Sequence, residues 1–154
     1  MPLIDGAVEA VERLAGSFRL GLASSSNRSL IDAVLAASEL GRRFEVTVSS
    51  EEVARGKPAP DVFLEVARRL EVAPERCAAV EDSGNGVRSA KAAGMRVVAI
   101  PNRRYPPPAD ALALADLSLD SLYELTPTAV DLRREMTRGA GRPEARGDLR
   151  RRVT

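Results

Sequence analysis

The sequence predicts an α/β fold in which helices cover both faces of a parallel sheet. Three observations predict it. Short aliphatic runs alternate with segments whose apolar residues recur at helical spacing through most of the 154 residues. Aromatic residues are 3% of the chain against 44% hydrophobic overall, so Val, Leu, Ile and Ala must build the core, as in strands buried on both sides. Polar and charged residues follow each of the first three aliphatic runs, where open parallel sheets place their ligands.

The elements follow in order. Ala7, Val11, Leu14 and Ala15 mark one helical face after Asp5-Gly6. Phe18 to Ala23 has strand character and leads into Ser24-Ser25-Ser26-Asn27. Leu30, Ile31, Val34 and Leu35 give the next helix, and Val46-Thr47-Val48 a second strand, followed by Ser49-Ser50-Glu51-Glu52. Asp61 is the expected N-cap of a helix whose Phe63, Val66, Ala67 and Leu70 fall at i, i+3, i+4 and i+7. Cys77 to Val80 is a third strand, ending in Glu81-Asp82-Ser83. A helix from Asn85 to Ala93 stops at Gly94, and Val97 to Ile100 is a fourth strand ended by Pro101. Leu117 to Leu119 is a short fifth, before a helical turn near Asp120 to Leu125.

Length favours a single core domain, expected over 1–126, and a basic tail over 127–154. The net charge is only +1, yet eight arginines and three acids fall between Arg133 and Thr154. That stretch has few apolar residues and four Gly or Pro, so it is expected to be a disordered, solvated extension; a weak contact with RNA or another anionic partner is the alternative. Otherwise composition gives no reason to expect nucleic acid. The chain contains no histidine, which excludes Ser-His-Asp and Cys-His catalysis and imidazole zinc sites. Cys77 is the only cysteine, so no internal disulfide forms, and its apolar neighbours predict a core role. No stretch reaches the roughly 20 apolar residues of a membrane span and no signal peptide opens the sequence, so the cytoplasm is the expected location.

Three loop ends carry chemistry. Ser24 to Asn27, between a strand and a helix, can offer hydroxyls and free N–H groups to an anion, or can simply cap the helix. Lys57 is one of only two lysines among 23 basic residues and sits in Gly56-Lys57-Pro58-Ala59-Pro60, where Pro58 biases it towards an extended backbone. An ammonium so presented suits a phosphate oxygen; a solvated surface lysine is the plainer alternative. Glu81 and Asp82 supply hard oxygens suited to magnesium, which takes one or two carboxylates and completes its shell with water and phosphate. They can equally be charged residues marking the strand's exit.

With these stretches in order, the chain resembles the haloacid dehalogenase superfamily, in its phosphatase and β-phosphoglucomutase-like branch. The resemblance runs from about Pro2 to Thr126 and rests on Leu22-Ala23-Ser24-Ser25-Ser26-Asn27, Gly56-Lys57-Pro58-Ala59-Pro60-Asp61-Val62-Phe63 and Val80-Glu81-Asp82-Ser83-Gly84-Asn85-Gly86-Val87, with Ala92-Ala93-Gly94-Met95 and Ala99-Ile100-Pro101-Asn102 in support. It implies a Rossmann-like sheet and a magnesium-dependent phosphatase of small, sugar-phosphate-like metabolites. Ser24 would hydrogen-bond the transferring phosphoryl group, Lys57 would neutralise it, and Asp82 with Glu81 would bind Mg2+. Ser25, Ser26 and Asn27 would add phosphate or substrate contacts.

One part of the family pattern is not found. The D-x-D-G-T/S motif, whose first aspartate attacks phosphorus and whose second is general acid and base, has no match; Pro2 to Val8 instead resembles the segment that follows the family's cap domain. The opening strand and the cap would then lie upstream of Met1, and the strands leading to Ser24 and Glu81 would flank the opening strand's place. The expectation is a partial core with little phosphatase activity alone. The alternatives are a phosphomutase of the same family, a non-catalytic phosphate-binding or regulatory module, and an interaction protein working through its basic tail.

Overall fold

The computed structural model describes residues 3–131. Its longer elements run α1 (Ala7–Ala15), β1 (Gly21–Ser24), α2 (Arg28–Ser38), β2 (Val46–Ser49), α3 (Asp61–Arg69), β3 (Ala78–Glu81), α4 (Gly84–Ala92), β4 (Arg96–Ala99), α5 (Ala109–Leu112), β5 (Leu117–Ser118) and α6 (Pro127–Val130). Among the described residues no helix is long and apolar enough to cross a membrane. Of the expected tail, Pro127–Val130 forms α6, capped by the Thr126 hydroxyl, and Asp131 follows it; the arginine-rich stretch from Arg133 lies outside the described residues.

Among the described residues all strand pairs are parallel, as expected, but the strands form two sheets. β1 pairs with β2, bringing Ser24 beside Ser49. β3 pairs with β4 and β4 with β5, so that Glu81 lies beside Ala99 and Ala99 beside Ser118. No ladder joins β1 to β3.

Packing unites the two sheets. Successive strand residues point to opposite faces. On one face Val48, Ala79, Val97 and Ala99 meet Val62, Phe63 and Val66 of α3 and Val87 and Ala90 of α4 in one buried cluster. On the other, Val98 packs with Ala10 and Leu14 of α1 and with Leu125, flanked by Leu20, Ile100 and Val130. Leu14, Val66 and Ala67 fall on predicted helical faces and are buried, and Cys77 packs half-buried against the first cluster. Burial pushes the Cys77 thiol pKa up, consistent with a packing role.

Several boundaries differ from expectation. β1 starts at Gly21, not Phe18, because the Phe18 N–H still closes α1 onto the Leu14 carbonyl and Arg19 is held by Glu45 and the Leu70 carbonyl. Pro60, not Asp61, is the N-cap of α3; Asp61 is its first helical residue, its carboxylate paired with Arg55 at 3.0 Å. An acid there still faces the positive end of the helix. α4 ends at Ala92, and Gly94 follows at φ 79°, the left-handed conformation that glycine adopts without a Cβ clash.

Candidate phosphate and metal site

The carboxyl ends of β1 and β3 open on one cavity of about 980 Å3. Ser24, Ser25, Lys57, Glu81 and Asp82 all line it. The fold thus brings the three expected loop ends together across the gap between the two sheets.

Lys57 is the bridge. The Lys57–Pro58 peptide bond is cis. The Lys57 ammonium donates to the Ala23 carbonyl at 3.1 Å and to the Glu81 carboxylate, linking the end of β1 to the end of β3. Both charged side chains are nearly buried, with 10% and 7% exposed, so each needs the other. The ammonium also lies 4.7 Å from the centre of the Phe63 ring. Lys57 is therefore a fixed charge, not a solvated surface lysine.

Glu81 is held from three sides. Besides Lys57, the Ser83 hydroxyl donates to its Oε2 at 3.3 Å, while that hydroxyl caps α4 by accepting from the Gly86 N–H at 3.1 Å. On the third side a Cβ on Gly86 would overlap the carboxylate, so the first turn of α4 can approach Glu81 only because residue 86 has no side chain. Asp82 also lines the cavity and accepts from Asn102 Nδ2 at 3.3 Å. Asn102, just beyond β4, also binds the Arg104 and Tyr105 N–H groups through its Oδ1, at 3.0 and 3.1 Å.

The remaining expected residues have other partners. Ser24 Oγ accepts from the Ser26 N–H at 3.1 Å. Asn27 caps α2, accepting from the Leu30 N–H at 2.9 Å. Ser26 accepts from the Ser49 hydroxyl at 2.7 Å through its carbonyl. Neither Ser26 nor Asn27 lines the cavity. The polar cluster after β2 is likewise structural: Ser49 and Glu52 form a capping box, and Glu52 also pairs with Arg28 and Arg69. The Ser49 backbone N–H, then the Arg28 side chain, holds the Glu52 carboxyl down at about 2.

Ser83 and Asn102 were given no site role by sequence reasoning, although both stand at strand ends and that position was the available signal. Asp5 and Tyr123 also line the cavity, the tyrosine hydroxyl donating to Asp5 Oδ1 at 3.1 Å. They are 118 residues apart, and nothing local announces the contact. A smaller cavity of about 400 Å3 shares Ser25, Lys57 and Ser83 and adds Asn85, Arg88 and Tyr105.

Among the described residues no group of three or more His, Cys, Asp or Glu gathers as a metal cage. Glu81 and Asp82 still suit a hard, oxygen-seeking ion such as Mg2+, which commonly takes one or two carboxylates and leaves its other positions to water and phosphate.

The chain is similar to known proteins. Residues 1–94 match the family model described as haloacid dehalogenase-like hydrolase. The chain is 41% identical over 128 residues to hexitol phosphatase B of Escherichia coli strain K12, covering 81% of this chain and 56% of that protein. It is 42% identical over 104 residues to the protein CbbY of Rhodobacter capsulatus, covering 65% and 46%. The crystal structure of CbbY from Rhodobacter sphaeroides in complex with phosphate superposes with a TM-score of 0.73 at 32% identity, over 83% of this chain and 58% of that one. The chain thus spans about half the length of the curated relatives it matches. Over the part that it spans, it belongs to the haloacid dehalogenase-like hydrolases.

Proposed function

We propose that the site binds the phosphate group of a small phosphorylated metabolite beside a magnesium ion, as part of a phosphatase-type active site. The observation that carries this reading is the bridge made by Lys57: one buried ammonium touches the end of β1 and the carboxylate at the end of β3, with Ser24, Ser25 and Asp82 lining the same cavity. Phosphoryl transfer depends chiefly on positioning and charge stabilisation, and these are the groups such a site needs. Ser24 would donate its hydroxyl proton to a phosphate oxygen while keeping the Ser26 N–H as donor to its lone pair. Lys57 would offset the negative charge of the phosphoryl group. Glu81 and Asp82 would hold Mg2+, whose charge, when bound, stabilises the phosphate oxygens. Asn102 would keep Asp82 turned towards the cavity.

Four acids line the cavity; three have side-chain partners, and the fourth, Asp120, is exposed and stands in no D-x-D-G-T/S pattern, whose first aspartate would be the nucleophile. Glu81 is tied to Lys57, Asp82 to Asn102 and Asp5 to Tyr123. We therefore propose that this 154-residue chain binds phosphate and Mg2+ but turns over little by itself. The same engagement favours, as second reading, a phosphate-binding module that performs no turnover in any setting. The relatives' names, hexitol phosphatase among them, support a sugar- or polyol-phosphate substrate, and β-phosphoglucomutase among the relatives keeps phosphoryl transfer between sugar positions as a variant of the same chemistry.

The test has two parts. Inorganic phosphate with Mg2+ should raise the thermal midpoint, and Lys57→Ala should abolish the rise; no rise in the parent chain would overturn the phosphate site. Phosphate release from a panel of sugar and polyol phosphates should stay near background. Robust turnover lost in both Lys57→Ala and Asp82→Ala would instead show that the chain holds a complete catalytic set.

A further inference from the structure

We infer that the smaller cavity is a second anion subsite, which holds a phosphate or carboxylate at the far end of the substrate whose phosphoryl group lies at Lys57. The inference deepens the phosphate-site reading and rests on it.

The two cavities meet at one cation but differ in charge. Ser25, Lys57 and Ser83 line both. Four acids line the larger one, Asp5, Glu81, Asp82 and Asp120, against Lys57, Arg103 and Arg104. No acid lines the smaller one, and its charged groups are Lys57 and Arg88. Each of these cations has an acid partner, Glu81 and Asp110 respectively, but neither acid lines the smaller cavity. The larger space therefore suits a hard cation and the smaller one an oxyanion.

Local packing sets the Arg88 side chain. Arg88 stands on α4, one turn after Gly84. A Cβ at Gly84 would come within 3.0 Å of Pro108 Cδ and 3.3 Å of Arg88 Nη1, so glycine lets the proline loop and the guanidinium close on the same turn. Arg88 Nη2 donates to the Asp110 carboxylate on α5. Asp110 is 73% exposed, so the pair adds little stability and serves as a brace. Nη1 has no hydrogen-bond partner among the described residues. A planar guanidinium braced at one corner can offer its remaining donors to two oxygens of one anion.

The other lining groups favour the same ligand. The Asn85 amide and the Ser25 and Tyr105 hydroxyls have no partner among the described residues. A polyol hydroxyl has a proton to give, and no carboxylate lines this cavity to take it; an oxyanion only accepts. The volume of about 400 Å3 equals that of roughly a dozen waters, enough for a phosphate or carboxylate and the carbons leading to it. Tyr105 is 70% exposed, and a ligand there can cover its ring. Its N–H donates to Asn102 Oδ1, and Asn102 Nδ2 donates to Asp82, so the loop that would meet the second anion also orients the carboxylate proposed for Mg2+.

Isothermal titration at saturating Mg2+ tests the subsite with two matched pairs. Fructose 1,6-bisphosphate is compared with fructose 6-phosphate, and 3-phosphoglycerate with glycerol 3-phosphate. In at least one pair the doubly anionic member should bind about tenfold tighter, the usual scale for charge-assisted hydrogen bonds. The pair that responds tells phosphate from carboxylate. Arg88→Ala should erase the advantage and change the affinity of the singly anionic member by less than about twofold, since only one arm reaches Arg88. Asp110→Asn removes the brace's charge without altering a lining residue, and should keep the advantage. By NMR, the Arg88 Nε–H and Asn85 amide signals should move with the doubly anionic ligand and not with its singly anionic counterpart. Equal affinities within both pairs would overturn the subsite, as would an advantage that survives Arg88→Ala. An advantage lost equally in Asp110→Asn would overturn it too, leaving Arg88 as a brace between α4 and α5. If Arg88→Ala does not fold, Arg88→Lys keeps a charge without the forked contact and should still lose most of the advantage. Failure of the phosphate site is read separately, as no thermal shift with inorganic phosphate and Mg2+; failure of the subsite alone leaves that shift intact.

Discussion

Replacing Gly86 by Ala is the most diagnostic single change at the site. In isolation alanine should help, since it is favoured over glycine by about 1 kcal/mol inside a helix. The structure predicts the reverse. The new Cβ would occupy the space of the Glu81 carboxylate, which is nearly buried and bound to Lys57. Either α4 moves away from β3 or Glu81 leaves its pocket. The second outcome strands the Lys57 ammonium, and breaking a buried ion pair typically costs about 3–5 kcal/mol. After the helix-propensity gain, a net loss of about 2–4 kcal/mol remains, or about 10 °C in thermal midpoint at this chain length. Urea unfolding measures the loss directly. A second variant isolates the cause: in a Glu81→Ala background the obstructing carboxylate is gone, so Gly86→Ala should become neutral or stabilising. Non-additivity of that size between contacting residues is what a double-mutant cycle detects. If Gly86→Ala is as stable as the parent chain, the account of how Glu81 is held is wrong.

Three further outcomes follow from other parts of the molecule. The Glu52 carboxyl is held down at about 2 by the Ser49 N–H and then Arg28, and that of Glu65 at about 2 by Arg68 and then Arg69. Native pKa values below the ordinary 4.5 mean that their stabilisation is complete above about pH 4.5 and is lost as pH falls towards 2, so urea midpoints should drop across that window and drop less in Glu52→Gln. Asn102→Ala removes the donor to Asp82 and should weaken Mn2+ binding in isothermal titration by about 10–100-fold, the usual effect of losing a group that orients a metal ligand. Arg13 donates to the Leu125 carbonyl at 2.7 Å and ties α1 to the turn that carries Tyr123, so Arg13→Ala should cost about 1.5 kcal/mol by urea unfolding.

The sequence made the strands legible because each is a short aliphatic run between turn residues, and it made the candidate site's shared cavity legible because ligands gather beyond strand carboxyl ends. Ser24, Lys57, Glu81 and Asp82 could be singled out from that rule and their order alone. Element edges were less legible. β1 begins three residues after the apolar run does, since Arg19 is drawn to Glu45 and the Leu70 carbonyl, contacts formed only in three dimensions. α5 and α6 have four residues each, too few for a helical period to register. Polar strand ends were ambiguous for a different reason. Asn27 and Glu52 have the residue types of ligand groups, but their neighbours use them as caps, and N-cap chemistry and anion-binding chemistry draw on the same side chains. The Asp5–Tyr123 contact spans 118 residues and leaves no local trace.

The Lys57–Glu81 pair links folding to the proposed chemistry. A buried carboxylate is costly unless a cation accompanies it, and in this structure the cation is Lys57. A divalent ion at Glu81 and Asp82 would take over that duty and leave the ammonium's charge to the incoming phosphate. Phosphate alone would compete with Glu81 for Lys57, and the metal alone would crowd a pair that is already neutral. Each ligand should therefore bind better when the other is present, a coupling that must be reciprocal. Thermal shifts with Mg2+ and phosphate together should exceed the sum of the separate shifts, and in Lys57→Met, which has no ammonium to release, the excess should vanish. Shifts that simply add in the parent chain would mean that the pair is a structural strut, with metal and phosphate held independently of it.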